Sequence, residues 1–181
     1  MLSQQNYLNF QKIINNNKLF KYFWIFWGNY AFIIFGLVGL YVLLNPAFQE
    51  NLQKLICASV ISFVFSRAGV VTLINQFIKR VRPYQKFNFE PQQTRFFSLR
   101  DNNPDSFPSR HSTAYFSVAS VVFLFHPVLG AILLCTAIMA GIGRVIMGCH
   151  WPTDIFGGAL IGSLVGHLTV HFVLPLFFTL T

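Results

Sequence analysis

Long apolar segments separated by short polar ones constrain the fold of this chain more than any other feature. The stretch from Tyr22 to Leu44 is almost wholly apolar and is about long enough to cross a bilayer as a helix. A second runs from Leu52 to Ile78, and three more cover 109–125, 128–147 and 155–178. With 54% hydrophobic and 10% charged residues, the chain is too apolar for an ordinary soluble domain. The sequence therefore predicts an all-α, integral membrane bundle of about five transmembrane helices, with residues 1–181 in one domain.

The first 19 residues differ from the rest of the chain because they are polar and rich in Asn and Gln. Leu8, Phe10, Ile13 and Ile14 give this N-terminal arm apolar positions. Two interpretations follow, a short interfacial helix and a solvated tail. The arm lacks the small-residue cleavage site that is typical of a signal peptide.

The basic charge is concentrated in one polar connection. The formal net charge is +8, and six of the 13 basic residues lie between residues 79 and 105. A cluster of this kind beside apolar spans favours an anionic ligand or anionic lipid headgroups as the partner. We do not expect a nucleic acid to bind.

Three polar motifs fall at the ends of the apolar segments. They are NQFIKRVRPY at 75–84, SFPSRHS at 106–112 and GRVIMGCHWPTDIFGG at 143–158. Consecutive spans alternate in direction, so all three motifs lie on the same membrane face. That face therefore combines several arginines with Ser109, His111, His150 and Asp154.

The third motif carries the clearest chemistry. His150 precedes Asp154 by four positions, and a carboxylate beside a histidine prepares the imidazole as a nucleophile or base. Arg144 adds a planar fork of donors that matches phosphate oxygens. The unpaired N–H groups at the start of the third span also favour an anion. With His111 to protonate a leaving oxygen, this set suits phosphoryl transfer without a metal.

These motifs resemble the signature of the type 2 phosphatidic acid phosphatase (PAP2) superfamily, which reads K-x6-R-P, P-S-x-H and S-R-x5-H-x3-D. Arg82 and Pro83 match the end of the first block, residues 108–111 match the second, and Arg144, His150 and Asp154 match the third with the right spacing. The resemblance implies that His150 forms a phosphohistidine and that Asp154 orients it. It also implies that His111 is the acid for the leaving group. The phosphate would be held by Arg82, Ser109 and Arg144, with no metal or other cofactor.

The chain departs from this signature at three positions. Asn75 stands where the family has its lysine, so one charge is missing, and Lys79 lies one helical turn later as an alternative source of it. Gly143 replaces the usual serine of the third block. Arg110 replaces the usual glycine of the second block, and its side chain adds a cation that could meet a second phosphate group.

Within the superfamily, the short five-span layout and the altered blocks resemble the bacitracin-resistance type of undecaprenyl-diphosphatase. This resemblance implies a polyprenyl or phospholipid phosphate as substrate, with undecaprenyl diphosphate favoured. Phosphatidate, phosphatidylglycerophosphate and lipid A phosphatases share the same blocks and stay open as alternatives. So do a phosphotransferase with the same intermediate and a carrier that uses the cationic pocket without chemistry.

The orientation of the chain is a separate expectation. Lys12, Lys18 and Lys21 would place the N-terminus inside by the positive-inside rule, and helix count would then make the active face cytoplasmic. The resemblance implies instead a multi-pass protein of the bacterial cytoplasmic membrane with an extracytoplasmic site, which we expect. The sequence does not indicate an oligomeric state.

Three other groups of polar residues have two interpretations each. Arg67, inside the second span, either hydrogen-bonds neighbouring carbonyls or contacts the site or the lipid phosphate. His167 and His171 either pack or form part of a metal site that lacks an evident third ligand. The acidic residues of the polar loop are expected to be solvated, although one could position a loop arginine; they are Glu90, Asp101 and Asp105.

Overall fold

The structure is a computed structural model in which residues 4–91 and 105–178 are described. Within those ranges the regular elements are helical. A 3-10 helix, Pro46–Asn51, precedes α3, and π-helical turns, Phe65–Val70 and Thr169–Val173, precede α4 and α9. The α-helices are α1 Gln4–Asn16, α2 Lys18–Leu44, α3 Leu52–Val64, α4 Val71–Phe77, α5 Pro83–Lys86, α6 Arg110–Phe125, α7 Pro127–Ile146, α8 Pro152–Leu168 and α9 Leu174–Phe178.

Four helical segments of the described chain are long and apolar enough to cross a membrane. They are Lys18–Leu44, Pro46–Phe77, Pro127–Ile146 and Pro152–Phe178. The fifth predicted span corresponds to α6, which has 16 residues and is shorter than the other four. Helix α6 contacts α3, α7 and α8 and is the central helix of the bundle. The prediction of an all-α membrane bundle is therefore confirmed.

Glycines on α8 bring it unusually close to α6. A Cβ atom on Gly162 would lie 2.3 Å from the carbonyl oxygen of Thr113, and one on Gly166 would lie 2.4 Å from that of Ser117. Helix backbones can approach this closely only where one of them lacks side chains. These contacts with Thr113 and Ser117 hold α8 against the N-terminal half of α6.

Helix α2 crosses α7 where Gly28 and Gly143 face each other. A Cβ atom on Gly143 would lie 2.7 Å from the backbone nitrogen of Gly28 and from the carbonyl oxygen of Trp24. Helix α1 then contacts the end of α7, where Gln11 Nε2 donates to the carbonyl oxygen of Ile146 at 3.0 Å. Ile14 is buried in the same region. The polar arm thus includes a helix that packs on the face where the three motifs lie.

Candidate active site

The loop between α7 and α8 brings His150 back to Arg144 through local contacts. Gly148 has a φ of 77°, a left-handed conformation that glycine adopts without strain. The N–H groups of Cys149 and His150 then donate to the carbonyl oxygen of Arg144 at 3.0 and 3.4 Å. Helix α8 begins at Pro152, and the Asp154 carboxylate accepts from the Trp151 N–H at 2.8 Å. This short stretch therefore juxtaposes Arg144, His150 and Asp154.

The His150 imidazole is buried, and a backbone carbonyl holds one of its nitrogens. Nδ1 lies 3.1 Å from the carbonyl oxygen of Ser106 and 3.7 Å from Asp154 Oδ2. A carbonyl oxygen can only accept, so Nδ1 carries the proton and Nε2 presents its lone pair. The hydroxyl of Ser106 donates to Asp154 Oδ2 and so links the carboxylate to the same residue. Ser106 was given no role from the sequence, although it opens the motif SFPSRHS.

Asp154 is fully buried and is held by an arginine of the polar connection. Its Oδ1 accepts from Arg80 Nη1 at 2.6 Å, and the same nitrogen donates to Thr153 Oγ1 at 2.6 Å. A buried carboxylate needs such a partner because it has lost its hydration. The Ser106 N–H donates in turn to the Arg80 carbonyl oxygen at 2.7 Å. Nothing in the sequence indicated which cation of 79–82 would contact Asp154.

The environment of His150 keeps its imidazole neutral. Burial lowers the pKa of His150 below the ordinary value of 6.5, the Asp154 carboxylate opposes this shift, and the charges of Arg82 and Arg144 add to it. A neutral imidazole with its proton on Nδ1 is the form that can attack an electrophile through Nε2.

Two of the residues predicted to hold phosphate, Arg82 and Arg144, lie near both histidines. Arg82 and Arg144 lie close enough to both imidazoles for their charges to act on each ring. Arg82 is 3% exposed, and its Nη2 lies 3.5 Å from the carbonyl oxygen of Asp105. The side chain of Arg144 has no hydrogen-bond partner among the described residues. The site thus brings the charges of two arginines to bear on both imidazoles.

Ser109 joins the starts of α6 and α8. It caps α6, with Oγ accepting from the Ser112 N–H at 3.4 Å, and its own N–H donates to the carbonyl oxygen of Asp154 at 3.1 Å. His111 is the second residue of α6, so this cap sets its position relative to α8. Arg110, the first residue of α6, is half-buried.

Asn75 and Lys79 occupy different environments. Asn75 is 4% exposed, and neither polar atom of its amide has a hydrogen-bond partner in the described ranges. The Lys79 side chain is 68% exposed, and its Nζ lies 3.0 Å from Asp105 Oδ2. The ammonium of Lys79 is therefore committed to Asp105, whereas the buried amide of Asn75 can donate to a ligand.

Asp105 differs from the sequence expectation of a solvated charge. It is 9% exposed, because an antiparallel bridge between Val81 and Asp105 draws this part of the chain inward and Lys79 neutralises it. Glu90 is exposed as expected, and Asp101 lies outside the described residues. His167 and His171 are exposed with ring centroids 4.3 Å apart. Among the described residues, no group of three or more His, Cys, Asp or Glu is placed to hold a metal ion.

Comparisons with known proteins place these residues in a wider context. Residues 55–177 match the family model described as PAP2 superfamily. The bacitracin transport permease protein BcrC of Bacillus licheniformis is 38% identical over 81 residues, which cover 45% of this chain and 39% of that protein. The undecaprenyl-diphosphatase of Sulfolobus acidocaldarius is 29% identical over 131 residues, covering 67% of this chain and 57% of that protein.

One solved structure aligns with this chain over nearly its whole length. The crystal structure of Aquifex aeolicus LpxE aligns with a TM-score of 0.56 and 25% identity, covering 91% of this chain and 94% of that one. The two sequence relatives, by contrast, are matched over 39% and 57% of their lengths.

Proposed function

The chain belongs to the PAP2 superfamily, and from that premise we propose that it is an integral-membrane lipid phosphatase acting on undecaprenyl diphosphate. One observation carries the proposal. A buried His150 keeps its proton on Nδ1 and lies with His111 among the charges of Arg82 and Arg144. The sulfolobal relative is named for its action on the same lipid diphosphate, which supports the choice of substrate.

The first step transfers the terminal phosphoryl group to the enzyme. Nε2 of His150 attacks the terminal phosphorus, a P–N bond forms, and the bond from that phosphorus to the bridging oxygen breaks. His111 gives a proton to the departing oxygen, so undecaprenyl phosphate leaves. The Ser106 carbonyl and the Asp154 carboxylate stabilise the positive charge that develops on the His150 ring.

The second step releases inorganic phosphate. Water attacks the phosphohistidine, the P–N bond breaks, and His111 accepts the proton that the water loses. Arg82 and Arg144 bind the equatorial oxygens, where negative charge concentrates in both transition states. Ser109 and the Asn75 amide supply neutral donors to the same group. We expect Arg110 to lie at the rim of this phosphate site.

The proposed location is the bacterial cytoplasmic membrane, with the site on its outer face. The lipid diphosphate would then enter from the bilayer, and its phosphates would meet the cationic face of the bundle. We expect the reaction to need no metal ion, because the arginines supply the charge that a metal supplies elsewhere.

The decisive experiment measures phosphate release from undecaprenyl diphosphate by the purified protein in detergent with EDTA present. Phosphatidate is the comparison substrate, and His150→Ala is the inactive control. We expect EDTA-resistant release that is lost in the variant and is much slower on phosphatidate. Release mainly from phosphatidate would move the protein to glycerolipid turnover with the same mechanism.

Three further outcomes would reject parts of the proposal. Turnover that persists in His150→Ala would reject the phosphohistidine. Binding of the lipid without release by the folded wild-type protein would favour a carrier. Transfer of the phosphate to a lipid alcohol in place of water would identify a phosphotransferase.

A further inference from the structure

Arg67 is a cation inside an apolar membrane segment, and neither step of the proposed reaction uses it. It lies within Pro46–Phe77 on the π-helical turn Phe65–Val70 and is half-buried. Charged residues at such positions are costly and usually serve function, and π-helical turns are frequent at functional sites. The question is which group this guanidinium meets.

A serine pair anchors the π-helical turn to α6. Ser66 Oγ and Ser117 Oγ lie 3.0 Å apart, and both residues are buried. Ser117 follows His111 by six residues, so it lies about 9 Å further along the α6 axis. Arg67 directly follows Ser66, and its charge lies close enough to act on His111 and Tyr115. The rings of those two residues have centroids 6.1 Å apart.

Arg67 has no carboxylate and no hydrogen-bond partner among the described residues. The two buried carboxylates of that part of the chain are already paired, Asp105 with Lys79 and Asp154 with Arg80. The neighbouring carbonyls that the sequence suggested as partners make no hydrogen bond to it in these ranges. An unneutralised cation at this depth is costly unless an anion binds there.

The serine pair places the turn that carries Arg67 against α6. Helix α6 carries His111, and the charge of Arg67 acts on that imidazole, whereas His150 lies on the loop between α7 and α8. His111 faces the leaving group in the proposed mechanism and His150 faces the phosphorus under attack. Arg67 therefore lies on the leaving-group side of the site and deeper in the bundle than the transferred phosphate.

We propose that Arg67 binds the second phosphate of a lipid diphosphate, the one that departs with the lipid, and selects diphosphates over phosphate monoesters. This inference rests on the proposed function and deepens it. When the bridging bond breaks, negative charge grows on the departing phosphate, and guanidinium donors stabilise it there. A monoester leaves as an alcohol and offers no such anion. Arg67 also supplies a positive charge that the site otherwise lacks, because Asn75 stands at the position of the family lysine and Lys79 is paired with Asp105.

The test compares Arg67→Gln with the wild-type chain on two lipids that share one tail, undecaprenyl diphosphate and undecaprenyl phosphate. Affinities are measured in the His150→Ala background, in which neither lipid is consumed, and kcat/KM is measured with His150 present. Lys54→Gln, an exposed position on the same segment, is the matched removal of charge. Arg67→Lys keeps the charge and tests whether the fold tolerates replacement.

We expect Arg67→Gln to weaken diphosphate binding and lower diphosphate kcat/KM by about 10- to 100-fold, the loss of a charged hydrogen-bonding partner. Monophosphate affinity should change by less than about threefold on the same scale. Arg67→Lys should recover most of the loss, and Lys54→Gln should match the wild type on both lipids. An equal loss on both lipids, or no loss on either, would overturn the inference.

Arg110→Gln separates the two arginines that could meet a second phosphate. If this variant loses diphosphate selectivity while Arg67→Gln keeps it, the second phosphate binds at Arg110 and our assignment is wrong. If undecaprenyl diphosphate is not the substrate, the chain with Arg67 intact will prefer phosphatidate or the monophosphate. That result would contradict the proposed function and is distinct from a failure of the Arg67 assignment.

Discussion

At the scale of single residues, the orientation of His150 depends on a backbone carbonyl as well as on the carboxylate of the motif. Its Nδ1 is 3.1 Å from the Ser106 carbonyl oxygen, whereas Asp154 Oδ2 is 3.7 Å away. The Asp154 carboxylate accepts hydrogen bonds from Arg80, from the Ser106 hydroxyl and from the Trp151 N–H. His150 and Asp154 therefore form one hydrogen-bonded network with the polar connection.

Ser106→Ala tests this network, because it removes the hydroxyl on Asp154 and keeps the carbonyl on His150. Losing one hydrogen bond to a buried charge costs about 1–2 kcal/mol, so we expect kcat to fall roughly 5- to 30-fold with KM little changed. Steady-state phosphate release measures this effect. Ser163→Ala, on α8, is the matched control. A kcat within about twofold of the wild type would show that Ser106 contributes only its backbone.

The pH dependence of activity follows from the lowered pKa of His150. In the proposed mechanism the neutral imidazole is the active form. A pKa below 6.5 should therefore let kcat/KM persist as the pH falls and place the acid limb of its pH profile below 6.5. Because Asp154 opposes the shift, Asp154→Asn should move that limb to lower pH while it reduces kcat. An acid limb at or above 6.5 in the wild-type protein would contradict this assignment.

At the scale of elements, the helix crossings explain one departure from the family signature. Gly143 stands where the superfamily has serine, and at this point α2 passes so close that even a Cβ atom would meet its backbone. The missing hydroxyl is therefore linked to the packing of α2 on α7. The same crossing sets the end of α7, and with it Arg144, against α2.

Gly143→Ser restores the family residue and should still damage the protein. The new Cβ would lie 2.7 Å from backbone atoms of Trp24 and Gly28, and overpacking of this kind costs about 1–3 kcal/mol. We expect a lower melting temperature in detergent and no gain in kcat/KM. Gly36→Ser on α2 is the control, since a Cβ there meets nothing within 4 Å. An unchanged melting temperature with a higher kcat/KM would show that α2 can shift away from α7 at little cost in stability.

At the scale of the whole molecule, helix α1 and the three motifs share one end of the bundle. The contact of Gln11 with Ile146 places the N-terminal arm beside the site. The lysines of the arm and the cations of the site therefore lie on one face. The positive-inside rule predicts that this face is cytoplasmic. Cations that bind phosphate carry no such preference, so the same charges are compatible with an outer face.

Cysteine labelling of intact cells determines on which side of the membrane this face lies. Lys86→Cys lies at the end of the bundle that carries the three motifs, and Glu50→Cys lies in the 3-10 helix at the opposite end. Both positions are exposed. With a membrane-impermeant maleimide, we expect Lys86→Cys to react in intact cells and Glu50→Cys to react only after permeabilisation. The wild-type chain, with its own cysteines, gives the background. The reverse pattern would place the site in the cytoplasm.

The sequence by itself determined the membrane class, the order of the helices and the main candidate residues of the site. Apolar length is a local property, and so is the spacing that joins Arg144, His150 and Asp154 around one helix start. Gly148, Pro152 and the Asp154 cap act within a few residues, so their effect could be predicted without knowledge of the packing.

The tertiary structure decided which distant partner each polar group meets. Lys79, Arg80 and Arg82 are nearly adjacent in sequence, yet Lys79 pairs with Asp105, Arg80 with Asp154, and Arg82 is buried near the two histidines. Arg67 lies beside α6 because its π-helical turn is anchored to that helix through Ser66. Such pairings depend on the direction of side chains and on loss of solvent, which arise only when the helices pack. Composition and spacing do not encode them.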